Sequence, residues 1–111
     1  MPLPPVTPLQ FAILEALLNG KRSGRQVRVA LAAQKIKKSG PAFYQIMARL
    51  EDAKWVEGWY EQKIIDGQII RERWYRILGR GIQALNTTRE FYSASTELRF
   101  GKVDAHDAFA L

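Results

Sequence analysis

Apolar positions recur along this chain at two periods. Over Thr7–Leu18, Ser23–Gln34 and Ser39–Asp52 they return every three to four residues, the spacing of one helix face. From Trp55 to Leu78 the period falls to two, and after Gly79 the helical spacing resumes to about Leu98. Thr7-Pro8-Leu9-Gln10 is a capping box that opens a first helix with Leu9, Ile13, Ala16 and Leu17 on one side, and Asn19-Gly20 is its expected stop. Ser23-Gly24-Arg25-Gln26 is a second capping box, for a helix that turns Val27, Ala30 and Leu31 inward. A short basic connection, Gln34 to Lys38, follows, with Ile36 as its apolar anchor. Ser39 caps a third helix with Pro41 in its first turn and an inner face of Phe43, Ile46, Met47 and Leu50. Its outer face carries Ser39, Ala42, Tyr44, Gln45 and Arg49 and no carboxylate.

The two-residue period covers two runs, Trp55–Ile65 and Gln68–Leu78, joined by Asp66-Gly67, the preferred pair for a type I′ hairpin turn. Tyr75 and Ile77 are expected on the core face, with Val56 and Tyr60 as partners, and Trp59 and Trp74 on the other side or at an edge. Lys63, Arg71, Arg73 and Arg76 decorate the hairpin. Two heptad series run along the last helix: Leu78, Leu85 and Tyr92 with Ile82 beside them, and Ala84, Phe91 and Leu98. Two stripes suit one docking on the domain and one on a partner helix, so Leu85, Phe91, Tyr92 and Leu98 are expected at a homodimer interface. A wide face buried within one protomer would give the same pattern. The fold class is therefore mainly α with a small β-hairpin (α+β). Residues 1–78 form a winged helix-turn-helix, 79–98 a dimerisation helix and 99–111 a tail.

Charge sharpens this picture. The 111 residues carry a net charge of +6 and a pI near 9.9. No acidic residue lies between Glu15 and Glu51, a stretch that holds Lys21, Arg22, Arg25, Arg28, Lys35, Lys37, Lys38 and Arg49. A polyanion suits such a block, as does a basic surface kept for solubility. Cysteine is absent, so there is no disulfide framework or thiolate metal site, and no metal or cofactor is expected. The sole histidine, His106, lies in the tail, and no Gly-rich phosphate loop occurs, so enzymatic chemistry is not expected. No apolar run has the length of a membrane span and Met1–Val6 lacks a secretory signal pattern, so a cytoplasmic location is expected.

With the elements in this order, the chain resembles PadR-like transcriptional regulators over roughly Leu3 to Leu98. The similarity lies in Thr7-Pro8 followed by Ala12-Ile13-Leu14 and Leu17-Leu18 with Gly20 and Gly24, in Phe43-Tyr44 and Arg49-Leu50-Glu51, and in Trp74-Tyr75-Arg76-Ile77. It departs from the family pattern at Ala42, where the family carries Ser or Thr, at Lys54, where Gly is usual, and at Gly79, where Thr is usual. The resemblance implies a dimeric repressor. It also implies, for some members, an aromatic effector near the dimer interface, for which Phe91, Tyr92 and Phe100 are candidates beside their reading as interface packing.

The expected partner is double-stranded DNA. The third helix would enter a major groove through Ser39, Ala42, Tyr44 and Gln45, with the Gln45 amide suited to adenine. Arg25, Arg28, Lys35, Lys37, Lys38, Tyr44 and Arg49 would meet phosphates, and Lys63, Arg71 and Arg73 on the hairpin would reach backbone or minor groove. A dimer would want an inverted repeat with half-sites ~34 Å apart. Two other readings stand beside this one: a winged helix for protein or RNA contact, favoured if Trp59 and Trp74 are exposed, and a DNA binder without sequence preference.

Overall fold

The computed structural model describes residues 6–100, with side chains to residue 94. Helix α1, Pro8–Ala16, starts from the expected reciprocal cap: the Gln10 N–H donates to the Thr7 hydroxyl at 3.2 Å and the Thr7 N–H to the Gln10 side chain at 3.0 Å. It buries Ala12, Ile13 and Leu14, and Leu17 lies buried just beyond it. The helix ends before Asn19-Gly20. Leu17 and Leu18 donate to carbonyls only three residues back, Leu14 and Glu15, so the last turn tightens instead of continuing. Gly20 then takes a φ of 135°, which side chains rarely adopt.

Strand β1, Arg22–Ser23, has no periodic signature in the sequence and was not expected. It pairs antiparallel with the later strand, Arg22 opposite Tyr75 and Ser23 opposite Trp74. The reason is local: Ser23 is also the N-cap of α2, Gly24–Ala33, and an N-cap is already extended, here φ −71° and ψ 159°. The Ser23 hydroxyl accepts from the Gln26 N–H at 3.1 Å, completing the second capping box. Helix α3, Gly40–Asp52, starts at Ser39, whose hydroxyl accepts from the Ala42 N–H at 3.3 Å, and buries Phe43, Met47 and Leu50. At its end Lys54, where Gly is usual in the resembling family, has a φ of 63°. The left-handed turn is kept without the residue that adopts it freely, at a cost of roughly 1–2 kcal/mol.

Strands β2, Val56–Ile65, and β3, Gln68–Ile77, form the hairpin in full register from Val56 opposite Ile77 to Ile65 opposite Gln68. Asp66 and Gly67 both have positive φ, 51° and 77°, as a type I′ turn requires. The sheet order is β1-β3-β2, so the wing is a three-stranded antiparallel sheet at its base and two-stranded at its tip. Val56 and Tyr75 are buried and Ile77 half-buried, as expected. Tyr60 is on the same strand face but 55% exposed, because that face runs past the edge of the core before reaching it. Trp59 and Trp74 oppose each other on the other face, both half-buried.

Helix α4, Gly79–Phe100, docks through Gly81, Ala84, Leu85 and Thr88, spaced i, i+3, i+4 and i+7. A Cβ at Gly81 would overlap the Trp55 carbonyl oxygen, so the helix can sit this close to the base of β2 only with glycine there. The Thr88 hydroxyl donates to the Ala84 carbonyl at 2.8 Å, and Arg89 reaches Glu15 of α1 at 3.2 Å. This docking stripe draws one residue from each heptad series and corrects one expectation: Leu85 is completely buried in its own protomer and has no surface left for a partner. The side chains of Leu98 and Phe100, and the tail from residue 101 on, lie outside the described residues. Among the described residues no helix is long and apolar enough to cross a membrane.

Candidate nucleic-acid interface

The packing of Phe43, Met47 and Leu50 fixes which side of α3 faces outward, and the opposite side shows Tyr44, Gln45 and Arg49 to solvent. Ser39 is exposed at its start; Ala42 is half-buried. The Tyr44 ring meets Phe43 edge-on at 5.1 Å between centroids and lies against Gly24, where a Cβ would come within 2.8 Å of its hydroxyl. Gly24 thus lets the start of α2 approach α3.

Beside α3 lies a groove of about 390 Å³ with Phe43 and Leu31 in its floor and Arg25, Arg28, Lys37 and Lys38 around it. Arg28 donates to the Lys38 carbonyl at 3.2 Å, which ties the basic connection to α2. On the other side of α3 the wing closes a cleft of about 590 Å³ lined by Tyr44, Glu51, Tyr60, Arg71, Arg73 and Tyr75. Arg71 and Arg73 share one platform, the Tyr60 ring, at 3.8 and 4.6 Å from its centroid. Stacking on a ring holds a guanidinium in place while leaving N–H groups free to donate.

Arg73 also bonds Glu51 at 2.5 Å, across the join of α3 and the wing. Burial works against the charged guanidinium, but the bond to Glu51 and its charge outweigh that and hold the Arg73 pKa above its usual value. Gly58 makes room for this pair, since a Cβ there would overlap the Glu51 carboxylate. Beneath it, burial first and the Glu51 charge second push the Tyr75 phenol up to about 12, so Tyr75 stays neutral at any physiological pH.

Of the twelve residues singled out for nucleic acid, Arg25, Arg28, Lys37 and Lys38 line the groove on one side of α3, Tyr44, Arg71 and Arg73 line the cleft on the other, and Ser39, Ala42, Gln45 and Arg49 belong to α3 or its cap. Lys63 stands apart, because strand alternation puts it on the Trp59 face, bonded to Glu72 at 2.6 Å. Among the described residues Arg25, Arg28, Lys37, Lys38, Arg49 and Arg71 make no ion pair, as is also true of Arg22, Lys35, Lys54 and Arg80, whereas Lys21, Lys63, Arg73, Arg76 and Arg89 each make one. Sequence reasoning missed Tyr60 as the arginine platform and Glu51 as the holder of Arg73. The first was within reach, since counting outward from the two-residue turn puts Tyr60 opposite Arg73. The two tryptophans decide little, since both are half-buried. Trp59 donates to Glu61 at 2.8 Å, and the Lys21 ammonium sits 4.9 Å above Trp74. Of the aromatic effector candidates, Phe91 and Tyr92 meet edge-on at 5.5 Å; the Phe100 side chain lies outside the described residues.

No protein-family model matches this chain, and no characterised protein matches it by sequence. Solved structures do match. A PadR family transcription regulator from Clostridium difficile aligns over 81% of this chain and 92% of its own at 13% identity, with a TM-score of 0.69. Bacillus subtilis PadR, solved with operator DNA, aligns over 70% of this chain and 44% of its own at 22% identity and TM-score 0.57. BpsR of Bordetella bronchiseptica, whose DNA binding is regulated by 6-hydroxynicotinic acid, aligns over 99% and 76% at 20% identity and TM-score 0.62.

Proposed function

We propose that this chain, which has a PadR-like winged-helix fold, is a sequence-specific, duplex-DNA-binding transcriptional regulator. The observation that carries the reading is the set of cations beside the exposed face of α3: Arg25, Arg28, Lys37 and Lys38 line the groove on one side and Arg71 the cleft on the other, none of them with an acidic partner among the described residues. An unpaired cation row costs nothing to desolvate from a carboxylate and releases counterions from a phosphate backbone. Gln45 and Ser39 then face base edges, Arg25, Arg28, Lys37, Lys38 and Arg49 hold phosphates, and Arg71 and Arg73 reach along the wing. The B. subtilis PadR structure with operator DNA supports this use of the fold.

The chain acts as a homodimer. Helix α4 continues for twelve residues past Thr88, the last fully buried position among its described side chains, about 18 Å at 1.5 Å per residue. Ile82 and Tyr92 are exposed along it and Phe91 half-buried, which suits cover by a second copy. A two-fold dimer asks for an inverted repeat, and occupancy of a promoter gives repression. A small aromatic effector acts near the edge-on Phe91–Tyr92 pair; regulation of BpsR's DNA binding by 6-hydroxynicotinic acid supports the use of such an effector with this fold.

The test is a binding selection on random duplex DNA at near-physiological salt, with sedimentation of the protein alone. An enriched inverted repeat and a dimer are expected. Binding without enrichment overturns sequence specificity, and no binding overturns the DNA reading in favour of a protein or RNA partner. A monomer overturns the role given to α4.

A further inference from the structure

Ile64 and Ile69 face each other across the hairpin one step from its turn, and they are the most exposed large apolar side chains described, at 74% and 71%. They lie on the strand face that also carries Tyr60, Arg71 and Arg73, the face turned to α3. From Tyr60 to Ile64 is four residues, about 13 Å of strand, so the pair projects beyond the stacked arginines. Glu61 and Glu72, the nearest acids on the strands, are on the opposite face and bonded to Lys21 and Lys63, and Asp66 belongs to the turn itself. An apolar tip backed by cations is the form of surface that enters a minor groove and unstacks a base step.

We propose that the Ile64–Ile69 tip of the wing is a wedge that enters the minor groove beside the α3 site and kinks the duplex there. This rests on the DNA-binding reading above. The occupant follows from charge: Arg71 and Arg73 behind the tip have phosphates on both sides of a minor groove to meet, and a narrow groove concentrates negative potential onto them. The kink adds preference for deformable pyrimidine–purine steps at positions the protein never contacts by hydrogen bonds.

The experiment uses the full chain and a duplex of about 30 base pairs from the binding selection, dye-labelled at both ends, with 2-aminopurine at steps flanking the half-site. The intact chain is expected to shorten the end-to-end distance and raise 2-aminopurine fluorescence at one flanking step. The double variant Ile64→Ser/Ile69→Ser is expected to keep the selected sequence preference within the half-site, lose both signals and bind about tenfold more weakly. Ile64→Leu/Ile69→Leu, which keeps an apolar tip, is expected to restore them. Binding with an unchanged distance, or a serine variant that still bends the duplex, overturns the wedge and leaves the DNA reading standing. Failure of the intact chain to select any duplex overturns both. A DNA-free self-association that the serine variant abolishes overturns the wedge in favour of an interface between copies of this chain.

Discussion

The two faces of the wing share strands, turn and solvent, yet they treat charge in opposite ways. On the face with Trp59 and Trp74, Lys63 pairs with Glu72, Arg76 with Glu57, and Glu61 with Lys21 from the loop before β1. The Lys21 bond, with a second from Trp59, holds the Glu61 pKa below its usual value. On the face with Tyr60, Arg71 makes no ion pair among the described residues and Arg73 shares its charge with a single acid borrowed from α3. The pleat separates the two sets, since successive side chains on a strand point to opposite sides. A residue count of cations on the hairpin therefore says little about what it binds. Which face each cation occupies, and whether an acid is opposite it, says much more.

The strongest way to probe this contrast is at the inner end of the Tyr60 face, where the wing joins the core. Tyr75→Ala is expected to destabilise the protein by about 3–5 kcal/mol in urea unfolding, as for other large buried aromatics, whereas Tyr60→Ala at the outer end leaves the midpoint nearly unmoved. Tyr75 also sets an alkaline limit. Its phenol is raised to about 12 in the fold, so the fold favours the neutral form. Its contribution is fully present below the unfolded value of about 10 and is lost as pH rises from there towards 12. Tyr75→Phe should remove that part of the alkaline destabilisation.

A smaller but more telling effect is expected in DNA affinity. Arg71→Ala with Arg73→Ala should weaken binding to every duplex about 10-fold and reduce the slope of log K against log salt by at least about 0.9, the one full phosphate contact of unpaired Arg71, with Arg73 adding less because it shares its charge with Glu51. Lys63→Ala with Arg76→Ala removes the same formal charge from the other face and should change affinity less than about twofold and the slope hardly at all, because those cations already have carboxylate partners. Equal effects from the two pairs would mean that the wing acts as a diffuse positive field and that the sorting of charge between its faces is incidental.

Glu51→Gln asks the same question from the acid side. Releasing Arg73 from its carboxylate should strengthen DNA binding a few-fold at low salt, an effect that shrinks as salt rises. It should also loosen the join between α3 and the wing, read as faster amide exchange along β3 near Arg73. Unchanged affinity with a loosened join would show that Glu51 serves only to hold the wing.

Much of this was legible in the sequence because it is local. Thr7, Ser23 and Ser39 announce helix starts through hydrogen bonds made within three residues, and Asp66-Gly67 sets a hairpin and its register through two backbone angles. Those signals fixed the element order, the inner face of α3 and the polar face turned away from it. The PadR-like arrangement of these elements follows from that order and is matched by the solved structures.

What only the tertiary structure decided depends on where elements end against one another. Strand β1 exists because Ser23, extended as a cap, lies beside β3, a neighbour fifty residues away in sequence. Tyr60 has the core-facing parity of Tyr75 but lies past the edge of the core, so it became a platform for arginines instead of a buried ring. Leu85 belongs to the protomer core and not to a partner face, because Gly81 lets α4 sit against the Trp55 carbonyl and so fixes the rotation of the helix. Periodicity tells which residues share a face. It does not tell how far the core extends beneath that face, and burial, charge pairing and the surface left for a partner all turn on that extent.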